Sequence, residues 1–523
     1  MALGLFYLLP SVTLCGIFQK IRTTSYLFVL VAQDDEDTVF VISRTVKKRT
    51  KQPRVGLMSR RIDKGKCKGY AFAGWVTLLI ATAGAAHGEG LDSTASVGKR
   101  LAVAADCVAC HTAPGGEAFA GGYPLSSPMG TIYSTNITPS KTAGIGNYTS
   151  EQFARAVRDG VAADGTRLYP AMPYTSYSKM TDSDIAALYD YFMHEVTPVD
   201  TPNQKTALDF PFNIRASMIG WNALFHSKTR FTPDPAKSAE VNRGDYLVNG
   251  LAHCDTCHTP RNVLMAADSA KPLAGGSLGS WYAPNITSDK VSGIGAWSSD
   301  EIVAYLRTGH VEGKAQAAGP MAEAVENSLQ HLSDVDLKAI AAYLLQTTPI
   351  KTGESKARHE YGQASVDELT LRGGKPGDNP GWHVFSGTCA NCHQPNGQGT
   401  REYPSLFHNT ATSRSDNLIA AIVYGVHREV DGVAIDMPGF GPDALFTDRL
   451  NDQQIADVSN YVLSRYGNAD AVVTAADVAQ VRNGGPQAPL AVMAKFTIPV
   501  IILVCLLIGL GAWALIARRR KEA

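Results

Sequence analysis

The sequence predicts an all-α chain, with one small helical domain repeated three times in tandem ahead of a single C-terminal transmembrane helix. Three observations predict it. A Cys-x-x-Cys-His motif occurs three times, a helix with the same apolar stripe recurs behind each copy, and Phe496 to Ile516 form a run of 21 uncharged, mostly apolar residues. At 523 residues the chain is too long for one hydrophobic core. Apolar residues make up 45% and charged residues 18%, a balance that argues for globular domains and against disorder. Basic and acidic residues number 48 each, so charge gives no reason to expect a nucleic-acid partner.

In chain order, residues 1–57 read as an upstream extension ahead of a translation start at Met58. Residues 58–86 read as a secretory signal: Arg60, Arg61, Lys64, Lys66 and Lys68 precede the apolar run Tyr70 to Ile80, and small residues around Ala81, Ala83 and Ala85 follow. The repeated domains are expected at 90–200, 235–350 and 375–470. In the first two, Tyr133-Ser-Thr-Asn-Ile-Thr leads to Gly144-Ile-Gly, and Tyr282-Ala-Pro-Asn-Ile-Thr leads to Gly293-Ile-Gly. A helix ending in glycine is expected near Phe153–Gly160, Ile302–Gly309 and Leu418–Gly425.

A second helix should start at Thr181, Ser333 and Asn451, which stand as N-caps. Behind them run Ile185, Leu188, Tyr191 and Phe192; then Leu337, Ile340, Tyr343 and Leu344; then Ile455, Val458, Tyr461 and Val462, one apolar stripe each. The segment 496–516 is long enough to span a bilayer core of roughly 30 Å. Arg518, Arg519, Arg520 and Lys521 would hold the short tail in the cytoplasm and everything before it in the periplasm.

The motifs are Cys107-Val-Ala-Cys110-His111, Cys254-Asp-Thr-Cys257-His258 and Cys389-Ala-Asn-Cys392-His393. Two thiols three residues apart on a helical turn can add to the two vinyl groups of one haem edge, which sets the next histidine under the iron. A zinc ribbon would pair two such motifs at short range, whereas these lie 147 and 135 residues apart. A redox dithiol would need an α/β context that is absent. Three covalently bound haems c follow, and small domains of this kind gain much of their core from the cofactor.

The sixth iron ligands are expected to be Met172, Met321 and Met437, each beside a proline and shortly before the capped helix. His310 is the alternative to Met321, while Met129, Met180 and Met265 read as core filler. Pro114, Pro260 and Pro395, just after the histidines, are expected to offer the carbonyls that accept from each histidine's second nitrogen. No dinucleotide fingerprint and no activated nucleophile with its base can be read in the chain. Substrate oxidation is therefore assigned elsewhere.

Across about residues 90–470 the sequence resembles the triheme cytochrome c subunit of the membrane-bound, quinone-reducing dehydrogenases of acetic acid bacteria and relatives. The resemblance rests on Asn242-Arg-Gly-Asp-Tyr-Leu-Val, His258-Thr-Pro-Arg, Gly279-Ser-Trp-Tyr-Ala-Pro-Asn-Ile-Thr and Lys314-Ala-Gln-Ala-Ala-Gly-Pro-Met-Ala. It implies class I cytochrome c domains and a large partner subunit using pyrroloquinoline quinone, flavin or a molybdenum cofactor. That subunit would oxidise alcohols, aldehydes, gluconate, sorbitol or fructose, and this chain would pass the electrons to membrane ubiquinone. The competing readings are a free-standing anchored carrier feeding a terminal oxidase or peroxidase, and a haem-based sensor with an open sixth position.

Overall fold

The computed structural model describes residues 13–21, 25–33, 39–47, 96–364, 379–400, 403–496, 504, 506–511 and 513. The chain divides into two compact units, Met1–His87 and Gly88–Ala523. In the first, strands Thr13–Ile21, Ser25–Gln33 and Val39–Lys47 form an antiparallel meander, with Thr13 opposite Gln33 and Ser25 opposite Lys47. The signal sequence expected at 58–86 lies outside the described residues.

The second unit runs through the same order of elements three times. Helix Val97–Ala104, capped by Ser96, leads through left-handed Asp106 (φ 52°) into the turn Cys107–His111. Helix Ala239–Tyr246 leads through a π-turn, Leu247–Leu251, and left-handed His253 (φ 40°) into Cys254–His258. Helix Pro380–Val384 leads through a second π-turn, Phe385–Cys389, into Ala390–His393.

Middle helices follow at Ser150–Asp159, Ser299–Thr308 and Ser415–Tyr424, each stopped by a positive-φ glycine: Gly160, Gly309 and Gly425. The closing helices are Asp182–His194, Asp334–Leu344 and Asp452–Tyr466. Thr181, Ser333 and Asn451 cap them by accepting from the third backbone N–H.

Each opening helix crosses its closing helix at a glycine. A Cβ on Gly98 would stand 2.1 Å from the Ala187 carbonyl oxygen, one on Gly244 2.0 Å from that of Ala339, and one on Gly381 2.1 Å from that of Asp457. Below the crossings lie the predicted stripes, with Ile185, Leu188, Tyr191 and Phe192, then Leu337, Ile340 and Leu344, then Ile455, Val458, Tyr461 and Val462 all buried. The first two stretches share one core, running from Leu101 and Phe192 through Leu247 to Ile340. The third has its own, around Phe385, Ile455 and Tyr466.

The expected all-α class is corrected. Besides the N-terminal meander, short antiparallel pairs form at Pro124–Ser127 with Gly130–Tyr133, Gly276–Leu278 with Trp281–Ala283, and Val426–Val430 with Val433–Met437. Their turns hold Gly130, Gly279 and Gly432 at positive φ, which folds the chain back on itself within a few residues. The C-terminal transmembrane helix is likewise not supported. Among the described residues no helix is long and apolar enough to cross a membrane, and most of 496–516 lies outside them. An apolar run establishes what a segment could be buried in, whereas a span also needs about 20 residues of unbroken helix.

Candidate haem-binding sites

Each motif histidine is pinned at two points. Its own carbonyl accepts from a glycine N–H: Gly121 for His111 (2.7 Å), Gly275 for His258 (2.7 Å) and Gly399 for His393 (2.9 Å). Its ring Nδ1 meets a second carbonyl: Thr135 for His111 (2.6 Å), Pro284 for His258 (2.6 Å) and Pro404 for His393 (2.9 Å). A carbonyl can only accept, so Nδ1 carries the proton and Nε2 keeps the lone pair that can coordinate a metal. Burial lowers the pKa of all three rings, that of His258 to about 4, so each imidazole is neutral at physiological pH.

The expected acceptors Pro114, Pro260 and Pro395 are therefore replaced by Thr135, Pro284 and Pro404. Pro395 instead accepts from the Tyr466 hydroxyl (2.9 Å). The signal for the first two of these acceptors lay in the Tyr-x-x-Asn-Ile-Thr repeat. Its asparagine locks the loop that presents the carbonyl. Asn136 donates to Val199 (2.7 Å) and Thr201 (3.1 Å) and accepts from the N–H and hydroxyl of Thr138 (2.9 and 2.7 Å). Asn285 donates to Ile350 (2.7 Å) and accepts from the same two groups of Thr287 (2.8 and 2.7 Å). All four side chains are buried, so each polar atom satisfied here avoids a desolvation cost of about 1–3 kcal/mol.

At the second motif the expected groups face one cavity. Cys254, Cys257, His258 and Met321 line one cavity, whose other walls include Trp281, Ile286, Trp297, Tyr305, Leu306 and Leu344. His310 is not among the lining residues. It is exposed, and its Nδ1 accepts from the Gln316 side-chain amide (2.7 Å), which in turn accepts from Arg428. Around the other motifs, Cys107 and Met172 pack against the core shared by the first two stretches, and Cys389 and Met437 against the third. His253 lies edge-on to Tyr177, with ring centres 5.5 Å apart, and His427 pairs with Asp436 at the surface.

None of the six motif cysteines is in a disulfide. Burial, helped by Asp106, pushes Cys107 up to about 12, and burial raises Cys254 and Cys389 to about 12 and Cys257 to about 11. A redox dithiol needs the opposite shift. Among the described residues no group of three or more His, Cys, Asp and Glu side chains is placed to hold a metal ion. Two thiols, a neutral imidazole with a fixed tautomer, and a thioether around an apolar, aromatic cavity fit a covalently attached haem.

Comparison with known proteins agrees. The cytochrome c family model matches residues 95–194 and 379–465. The fructose dehydrogenase cytochrome subunit of Gluconobacter japonicus is 48% identical over 448 residues, covering 82% of this chain and 92% of the relative. The gluconate 2-dehydrogenase cytochrome c subunit of Pantoea cypripedii is 40% identical over 432 residues, 77% of this chain and 92% of the relative. The cytochrome c subunit of the quinone-type alcohol dehydrogenase of Gluconacetobacter polyoxogenes is 39% identical over 430 residues, 78% and 88%. With two neutral, carbonyl-anchored histidines inside the matched cytochrome c regions and relatives aligned over most of both chains, this protein belongs to the family of haem c-bearing cytochrome subunits of dehydrogenase complexes.

Proposed function

We propose that the chain relays electrons from a dehydrogenase subunit to ubiquinone through three covalently attached haems, one at each motif. Cys107 and Cys110, Cys254 and Cys257, and Cys389 and Cys392 form the thioether links. His111 with Met172, His258 with Met321, and His393 with Met437 hold the irons. The observation that carries this reading is the second cavity, where two thiols, the neutral His258 imidazole and Met321 line one apolar space. A bound haem supplies a one-electron centre of the kind that suits transfer from a two-electron donor to a quinone. The chain's own part is to fix the histidine tautomers, keep water from the cavity with Trp281, Trp297 and Tyr305, and set the three sites in one folded unit.

The partner is a large subunit with a pyrroloquinoline quinone, flavin or molybdenum cofactor. The relatives' names point to fructose, alcohols or gluconate as the kind of substrate it oxidises. The motifs lie on the periplasmic side, where haem is attached to unfolded chain. The test is reduction of the isolated chain. Partner dehydrogenase plus substrate should reduce the haems, and substrate alone should not. Substrate-dependent reduction in a preparation shown free of any large subunit would overturn the assignment.

A further inference from the structure

Arg358 is a buried cation that the fold leaves partly unpaired. It sits on the segment joining the second and third stretches and is 8% exposed. Its guanidinium donates to the Ser292 carbonyl, but its Nε has no partner. The Glu354 carboxylate acts on it from nearby without forming an ion pair, and is itself engaged by the Thr352 hydroxyl (2.7 Å). Burial pulls the guanidinium down to about 10, as expected of a cation short of a counter-ion.

A second arginine stands near it. Arg414, at the head of helix Ser415–Tyr424, binds Asp416 through two bonds (2.8 and 3.1 Å) and lies over the Tyr282 ring at 3.8 Å. That stack and that pair fix its plane. Both arginines line the apolar cavity of Cys254, Cys257 and His258. Both also line the adjoining polar cleft, with Asn285, Thr352 and Ser413. They stand on the seam between an apolar space and a polar one. Such a seam suits a molecule with an apolar body and an acidic edge, and a forked guanidinium suits a carboxylate.

We infer that Arg358, with Arg414 beside it, holds the propionate carboxylates of the haem attached at Cys254 and Cys257. This rests on the reading that the second motif carries a haem. Arg358 is then a positioning residue whose charge also favours the reduced form of that one centre, and the second site is completed by a residue of the third stretch. Removing the charge should shift that haem's reduction equilibrium about tenfold towards the oxidised form, since a nearby buried cation favours the state of the iron with one positive charge fewer. Tenfold is 59 mV for a one-electron couple.

The experiment compares the full chain with R358Q and R358K by haem content, redox titration and resonance Raman spectroscopy of the propionate bending bands. The expected result is three haems throughout, one of three midpoint potentials lowered in R358Q and largely restored in R358K, and an altered propionate band in both variants. Unchanged potentials and bands in R358Q with full haem content would overturn the inference. Should R358Q fail to accumulate, an unchanged propionate band in R358K overturns it instead. A wild-type chain with no haem at the second motif would sink the underlying reading, and the haem count tells that failure apart.

Discussion

At the scale of single residues, the Cys-x-x-Cys-His spacing itself brings two thiols and a histidine together, and in the second motif all three line one cavity. It was not enough to find what orients the histidines. The prolines just after the motif were the nearest carbonyls in sequence, but the chain turns away. The loop locked by Asn136 and Thr138, or Asn285 and Thr287, brings in carbonyls 24 and 26 residues downstream of the histidines. The sequence did not show that Met321 lines the cavity while His310 is exposed and bonded to Gln316. Met321→Ala should therefore abolish the sulfur-to-iron charge-transfer band of one haem and lower its potential, whereas His310→Ala should leave both unchanged. Absorption spectroscopy with redox titration of the two variants checks this.

At the scale of elements, the closing helices were legible because an N-cap and a full-length apolar stripe report the same object twice. The short pairs within 124–133 and 276–283 were not, since strands of three or four residues carry too little periodicity. Val426-His-Arg-Glu-Val alternates buried and exposed in the fold, but its central inner residue is Arg428, bonded to Thr308 (3.2 Å) and Ala317 (2.9 Å), so apolar and polar residues do not alternate in its sequence. The glycine crossings were hidden as well, because a small residue in a helix signals nothing until its neighbour is known. Gly244→Ala would push a methyl group against the Ala339 carbonyl and the Tyr343 Cβ, 2.6 Å away. Forcing that contact should cost about 1–3 kcal/mol of stability, read as a lower denaturation midpoint at unchanged m-value.

At the scale of the whole molecule, tandem repetition suggested independent domains, and the packing is more entangled. The first two stretches share one core. The third reaches into the second through Arg414, through Arg428, and through Asn417, whose side chain bonds both the N–H (2.8 Å) and the carbonyl (3.0 Å) of Tyr282. Repeats show in a sequence, but which repeats merge depends on surfaces that no local pattern records. The second site lies outside the segments that match the cytochrome c model, and its cavity is lined by Arg414 and Asn417 of the third stretch as well as by its own residues. The central claim is that all three motifs carry haem, and the pyridine haemochrome assay on the purified chain measures it directly. Three haems c per chain are expected, falling to two when Cys254 and Cys257 are both replaced by serine. A value of two in the unaltered chain, unchanged by that replacement, would contradict the account.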